Sequence, residues 1–154
     1  MKIIEITKEQ IDNILKGEQI RISLIETEVK PLDNIMFKND SQVVGVRVIK
    51  AYKAHLQDMS LEDMWSEGIR VRVPPILEYG PAYPDDFDTW TKEHKDKYFR
   101  NAAISTYIAK WELSQDIENA YIRKWDSNVK PLNKKYKYEN NPVVTVVEFD
   151  TSAA

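Results

Sequence analysis

Three observations predict an α+β fold, a small mixed β-barrel of five or six strands with flanking helices and a helical insertion. Apolar residues recur at helical spacing over residues 11–15 and then with a period of two over 19–24 and 43–52. Aromatic and aliphatic residues again take helical spacing between positions 107 and 125. The chain then turns at Asn140-Asn141-Pro142 and ends in the run Val143-Val144-Thr145-Val146-Val147-Glu148-Phe149. Asn tolerates unusual backbone angles, and Pro fixes φ and removes a donor, so Asn-Pro marks a turn. The β-branched run after it suits a strand covered on both faces. Such a strand belongs in the interior of the sheet, with Val144 and Val146 buried, and shares one barrel with the strands near Ile20 and Val46.

The first fifty residues read strand, helix, strand, strand. Ile3, Ile4 and Ile6 suit a short strand, and Thr7 with Gln10 three residues on forms a capping box. The helix that follows carries Ile11, Ile14 and Leu15 on one face and stops at Gly17. From Gln19 the period is two, with Ile20, Ile22 and Leu24 on one side and Gln19, Arg21 and Ser23 on the other. Lys38-Asn39-Asp40-Ser41 makes a turn, and Val44, Val46 and Val48 face one way on the next strand. Residues 60–69 form a short helix, with Ser60 and Asp63 in capping positions and Gly68 at its end. Between Pro74 and Pro84 four prolines and Gly80 predict a long extended connection. A helical region begins near Asp88, and Tyr107, Trp111, Ile117, Tyr121 and Trp125 lie on one face that reads as core. Trp125-Asp126-Ser127 reads as its stop.

Composition narrows the function classes. At 154 residues the chain suits one domain, taken as 1–150, with the Pro-rich loop and helical insertion at about 70–127 and a tail at 151–154. Without cysteine there is no disulfide, thiol catalysis or Cys-based metal site, which fits a reducing cytoplasm, the compartment expected here. The start, Met1-Lys2-Ile3-Ile4-Glu5-Ile6, has a charge within its apolar run and does not read as a signal peptide. No apolar run approaches the roughly 20 residues of a membrane span, so no membrane partner is expected. A net charge of −3 argues against nucleic-acid binding through bulk charge alone.

The segment Leu56-Gln57-Asp58-Met59-Ser60-Leu61-Glu62-Asp63, continuing to Ser66-Glu67-Gly68-Ile69, resembles the "LQDIS-EDA-EGI" stretch of phage-encoded ASCH-type proteins, members of the PUA-like superfamily of small β-barrels. The Trp-Asp-Ser stop, basic linker, Asn-Pro turn and "VVEF" strand, here Val146-Val147-Glu148-Phe149, follow in the same order. The resemblance implies a PUA-like barrel, a phage or prophage accessory role, and contact with RNA. It also implies where chemistry would sit. The family's usual pattern after the first helix is Gly-x-Lys-x-x-Thr-x-Arg. In members resembling acetylcytidine amidohydrolases its Lys and Thr serve as base and nucleophile, with a Glu nearby. Here Gly17 matches, but Gln19, Ile22 and Leu24 stand where Lys, Thr and Arg are expected. Ile22 has no hydroxyl to activate, so no catalytic residue of that kind is expected.

The candidate binding residues are Lys134, Lys135, Tyr136, Lys137 and Tyr138. Over residues 121–138 six basic residues (Arg123, Lys124, Lys130, Lys134, Lys135, Lys137) face one acid, Asp126, a local charge of about +5. Ammonium groups suit phosphates, and tyrosine rings offer stacking platforms for single-stranded bases. The competing reading is a solvated linker whose tyrosines cover the barrel. Gln19, Arg21 and Ser23 would line a barrel-mouth pocket, or merely sit on the wet face of a half-buried strand. Asp85, Asp86 and Asp88, with Glu78 upstream, lack a calcium-loop spacing and read as a helix start. His55 and His94 lack a partnered ligand pattern, so neither metal nor cofactor is expected. Three classes stay open: a non-catalytic module for RNA or single-stranded nucleic acid, an accessory protein that binds a phage or host protein, and an enzyme on a modified nucleoside.

Overall fold

The structure, a computed structural model, describes residues 1–129 and 134–151. Five strands, β1 (Lys2–Glu5), β2 (Arg21–Leu24), β3 (Asn34–Lys38), β4 (Val43–His55) and β5 (Val143–Asp150), form one mixed sheet in the order β1-β3-β4-β5-β2. β1 runs parallel to β3 and every other pair is antiparallel. The terminal strand therefore lies inside the sheet, as its composition predicts, with Val144 and Val146 fully covered. β4 pairs with β3 from Val43 to Arg47 and with β5 from Arg47 to His55, and its register against β5 shifts between Val48 and Lys50. An unpaired residue of this kind bends a strand and increases its twist. The result is a curled half-barrel: β1 and β2 remain as two edges, and the closed barrel expected from the sequence is not formed.

Each face of the curl has its own core. Inside, α1 (Lys8–Leu15) lays Ile11 and Ile14 against Ile22, Phe37, Val46, Val147 and Phe149, with the Phe37 and Phe149 rings edge-on at 5.5 Å. The Thr7–Gln10 capping box holds the helix start as expected, but Leu15 points to solvent. Outside, α2 (Leu61–Ser66) and α4 (Lys92–Val129) press Met64, Ile117, Tyr121 and Trp125 onto Val144 and Val146. Alternate residues of β5 thus enter opposite cores, which explains its almost unbroken apolar run.

Several expectations change. The sequence reading has no strand at 34–38, although Ile35 and Phe37 alternate there with Asn34 and Lys38. Ile20 precedes β2 and is exposed, because the chain at that point bonds to the end of α2, Ile20 N–H donating to the Ser66 carbonyl at 3.0 Å. The Pro-rich connection is not extended throughout: Pro75 opens a short helix, α3 (Pro75–Tyr79), where its missing N–H costs nothing. The acid cluster does not start the long helix. Asp86 and Asp88 belong to a separate turn at Phe87–Thr89, and Thr91 caps α4 by accepting from the His94 N–H at 3.2 Å. α4 runs for 38 residues, about 57 Å, straight through the supposed stop at Trp125-Asp126-Ser127. Its aromatic stripe is split. Ile117, Tyr121 and Trp125 are core, whereas Tyr107 and Trp111 stand in solvent.

Candidate functional site

Gln19, Arg21 and Ser23 do not form a wet strand face. All three are buried, because α2 and the C-terminal part of α4 cover the outer side of β2. Ile22 and Leu24 fill the inner core, so this short strand is covered on both faces. The outer layer therefore buries polar side chains, which must find partners there.

Arg21 is held from several sides. Its guanidinium contacts the Asp63 carboxylate and the Tyr52 hydroxyl, with Glu148 at 3.8 Å. Asp63 is available because the α2 capping box fixes it: the Ser60 N–H donates to its Oδ2 at 3.0 Å. Burial works to raise the Asp63 carboxyl, yet hydrogen bonds from Ser60 and the Arg21 charge leave it below the ordinary carboxylate range. Burial pushes the Tyr52 phenol up.

Glu67, at the end of α2, forms the second half of the cluster. Its carboxylate accepts from the Ser23 N–H at 3.0 Å, the Ser23 hydroxyl at 3.2 Å and, more weakly, the Tyr121 hydroxyl at 3.4 Å. The residue keeps partial solvent contact, while its carboxyl end is enclosed by these groups and by Arg21. Burial raises its pKa from 4.5 to about 7, with Ser23, Arg21 and Tyr121 pulling the other way. Burial, reinforced by Glu67, holds the Tyr121 phenol well above its ordinary value. Next to Glu67 the backbone of Gly68 takes φ +93°, and a Cβ there would lie 3.0 Å from Asn13 Nδ2 and 3.2 Å from Gln19 Oε1. Glycine lets the α2 exit approach Gln19 this closely.

Gln19 donates from Nε2 to the Arg21 carbonyl at 3.0 Å, but its Oε1 is buried with no hydrogen-bond partner. Gln19, Ser23, Glu67, Tyr121 and Asn13 converge on a pocket of about 40 Å³, with Lys124, Trp125 and Asn128 among its other lining residues. A second cavity, about 220 Å³, shares Gln10, Ser23, Trp125 and Asn128 with it. It lies along the open seam of the half-barrel, with Ile4, Glu5 and Ile6 on the β1 side and Ile22, Leu24 and Ile25 on the β2 side. Of the three barrel-mouth residues picked from sequence, Gln19 and Ser23 line the small pocket. Arg21 lies behind it, in its ion pair.

The candidate binding residues lie in two single helical turns, Lys134–Tyr136 and Tyr138–Asn140, separated by Lys137 and set against the last part of α4. Trp125 Nε1–H donates to the Tyr136 carbonyl at 2.8 Å, and the Tyr138 N–H donates to Asp126 Oδ1 at 2.9 Å. The Tyr138 ring meets Tyr121 edge-on at 6.5 Å, and the Tyr136 hydroxyl contacts Glu26. Lys135 lies 3.6 Å from Glu26 and over the Tyr136 ring. Lys134 and Lys135 are exposed, and Tyr136, Lys137 and Tyr138 are half-buried. Of the other lysines of the stretch, Lys124 pairs with Glu9 at 2.6 Å and Lys130 lies outside the described residues. The basic turns and the polar pocket thus share two residues of α4, Tyr121 and Trp125.

Sequence reasoning missed the partners. Glu67 stands in the quoted Ser66-Glu67-Gly68-Ile69 segment, where a carboxylate just before a helix-ending glycine was the available signal. Asp63 read only as a cap, and Tyr121 only as core. His55 sits 3.2 Å from the Asn141 carbonyl and His94 stacks on Trp90 at 3.8 Å, so the two histidines belong to separate places.

The chain is similar to a threonine–tRNA ligase of Bdellovibrio bacteriovorus, with 26% identity over 137 residues, 87% of this chain and 20% of that protein. It spans about a fifth of the length of this curated relative. No family model and no solved structure matches the chain. Among the described residues, no helix is long and apolar enough to cross a membrane.

Proposed function

We propose that this chain is a non-catalytic binding module for single-stranded RNA, built on an ASCH-type, PUA-like half-barrel and serving as a phage or prophage accessory protein. The observation that carries this reading is the convergence of the basic turns and the polar pocket on Tyr121 and Trp125. Lys134, Lys135 and Lys137 supply phosphate contacts. Gln19 Oε1, buried and unpartnered, supplies an acceptor for a donor on the ligand. The pocket admits a polar edge rather than a whole base, so the RNA lies along the seam and inserts only an amino or amide group. Tyr136 and Tyr138 are held by Glu26 and Tyr121, so they serve as a preset wall and give up little freedom on binding. Likeness to a protein whose name carries a tRNA substrate supports the RNA class. The test is binding of single-stranded RNA at several salt concentrations, by wild type and by the variant with Lys134, Lys135 and Lys137 all replaced by Ala.

One contact favours a second reading, an enzyme on a modified nucleoside. The Ser23 hydroxyl donates to a carboxylate whose pKa lies at about 7, a hydroxyl beside a base. Ser23 does not occupy the position of the family's threonine, and Gln19 cannot replace its lysine as a base.

A further inference from the structure

We propose that the chain self-associates as an antiparallel dimer through the exposed face of α4, with the two-fold axis between Tyr107 and Ile108. On this helix Ile104, Tyr107, Ile108 and Trp111 fall at i, i+3, i+4 and i+7, one narrow stripe, and they are 48–74% exposed. The opposite side of the same stretch, at Ala109, is buried, so the stripe faces away from the rest of the chain. Four large side chains at this exposure leave on the order of 600 Å² of apolar surface per chain, against roughly 800 Å² per partner in a standard interface. Isolated apolar residues on a surface need no explanation, but a stripe at helical spacing is the pattern of a helix that packs on another.

Charge selects the occupant and its direction. Before the stripe Lys92, Lys95, Lys97 and Arg100 outnumber Glu93 and Asp96, and after it Glu112, Asp116 and Glu118 stand with no lysine or arginine as far as Ile122. No ion pair among the described residues engages Lys97, Arg100, Glu112, Asp116 or Glu118. A parallel pair would set like charges together. An antiparallel pair about Tyr107 and Ile108 places Ile104 opposite Trp111, Lys97 opposite Glu118 and Arg100 opposite Gln115. The stripe is thus complementary to itself, as a two-fold interface requires, and the stems of those flanking residues extend the buried area.

The experiment uses the full chain, which has no cysteine to interfere. Sedimentation over a roughly hundredfold concentration range should show a mass rising toward twice 18.0 kDa. The double variant Tyr107→Glu, Trp111→Glu should stay at the monomer mass with an unchanged circular dichroism spectrum, since both side chains are already in solvent. Oxidation should link Ile108→Cys into a covalent dimer and leave Lys97→Cys unlinked, because antiparallel packing sets the two copies of position 97 about 32 Å apart. Linking of both variants would overturn the antiparallel arrangement. A wild-type chain that stays monomeric throughout would overturn the dimer. If the double variant then lost RNA affinity, the stripe would belong to the nucleic acid instead.

Discussion

Replacing Glu67 with Gln tests the enclosed cluster through its proton. Burial raises the Glu67 pKa from 4.5 to about 7, so between those values the folded chain holds a proton that the unfolded chain has lost. The stabilisation linked to that proton is fully present below pH 4.5 and is lost as pH rises through 7. The change amounts to at most about 3 kcal/mol, less whatever the partial solvent contact of the residue screens. A glutamine side chain at this position has the same shape and no proton to lose. It can still accept from the Ser23 N–H, and the Ser23 hydroxyl can rotate to accept from the new amide. Urea denaturation at a series of pH values measures both proteins, and the quantity of interest is their difference. Wild type and Glu67→Gln should be close at pH 5, and the variant should gain on wild type as pH rises to 8. The carboxylates held low by their partners, Asp12, Glu26, Glu28 and Asp63, titrate below this window and cancel in the difference. A difference that stays constant from pH 5 to 8, or that moves against the variant, would refute the enclosed, proton-holding carboxyl.

Arg21→Ala should destabilise the fold by about 1–3 kcal/mol, because it removes the partner of the part-exposed Asp63 carboxylate and of the Tyr52 hydroxyl; it should also raise the Glu67 titration further, since Arg21 is one of the groups that lower it. Both follow from the same denaturation series, and a destabilisation under about 1 kcal/mol would mean that the ion pair is a surface one. On the proposed ASCH-type reading, incubation with N4-acetylcytidine should give no deacetylated product, because Gln19 and Ile22 stand where acetylcytidine amidohydrolases of that type carry base and nucleophile. Turnover in the usual enzyme range of roughly 1–1000 per second that Ser23→Ala abolished would transfer the protein to the enzymatic reading.

The fold was legible wherever a single pattern decided it. The Thr7–Gln10 and Ser60–Asp63 capping boxes, the Val44–Val46–Val48 alternation and the doubly covered 143–149 run each point to one local structure. What escaped depends on who covers whom. Arg21 and Ser23 alternate with apolar neighbours just as an exposed face would, and only the packing of α2 and α4 over β2 buries them. Tyr107 and Trp111 share their spacing with Tyr121 and Trp125, yet at their level α4 buries its other side, at Ala109, so this part of the stripe leaves the core. The Glu67–Ser23 contact joins positions 44 residues apart, and no local spacing encodes it.

The most direct test of the RNA-binding reading is the salt dependence of single-stranded RNA binding. Wild type should bind with a log affinity that falls linearly with log salt. Replacing Lys134, Lys135 and Lys137 with Ala should weaken binding and flatten that slope by roughly 0.7 for each phosphate no longer neutralised. Replacing Tyr136 and Tyr138 with Ala should lower affinity and leave the slope nearly unchanged, since ring contacts release no counterions. A wild-type protein with no affinity for RNA or single-stranded DNA even at low salt would contradict the account and leave residues 134–138 as a solvated cover over α4.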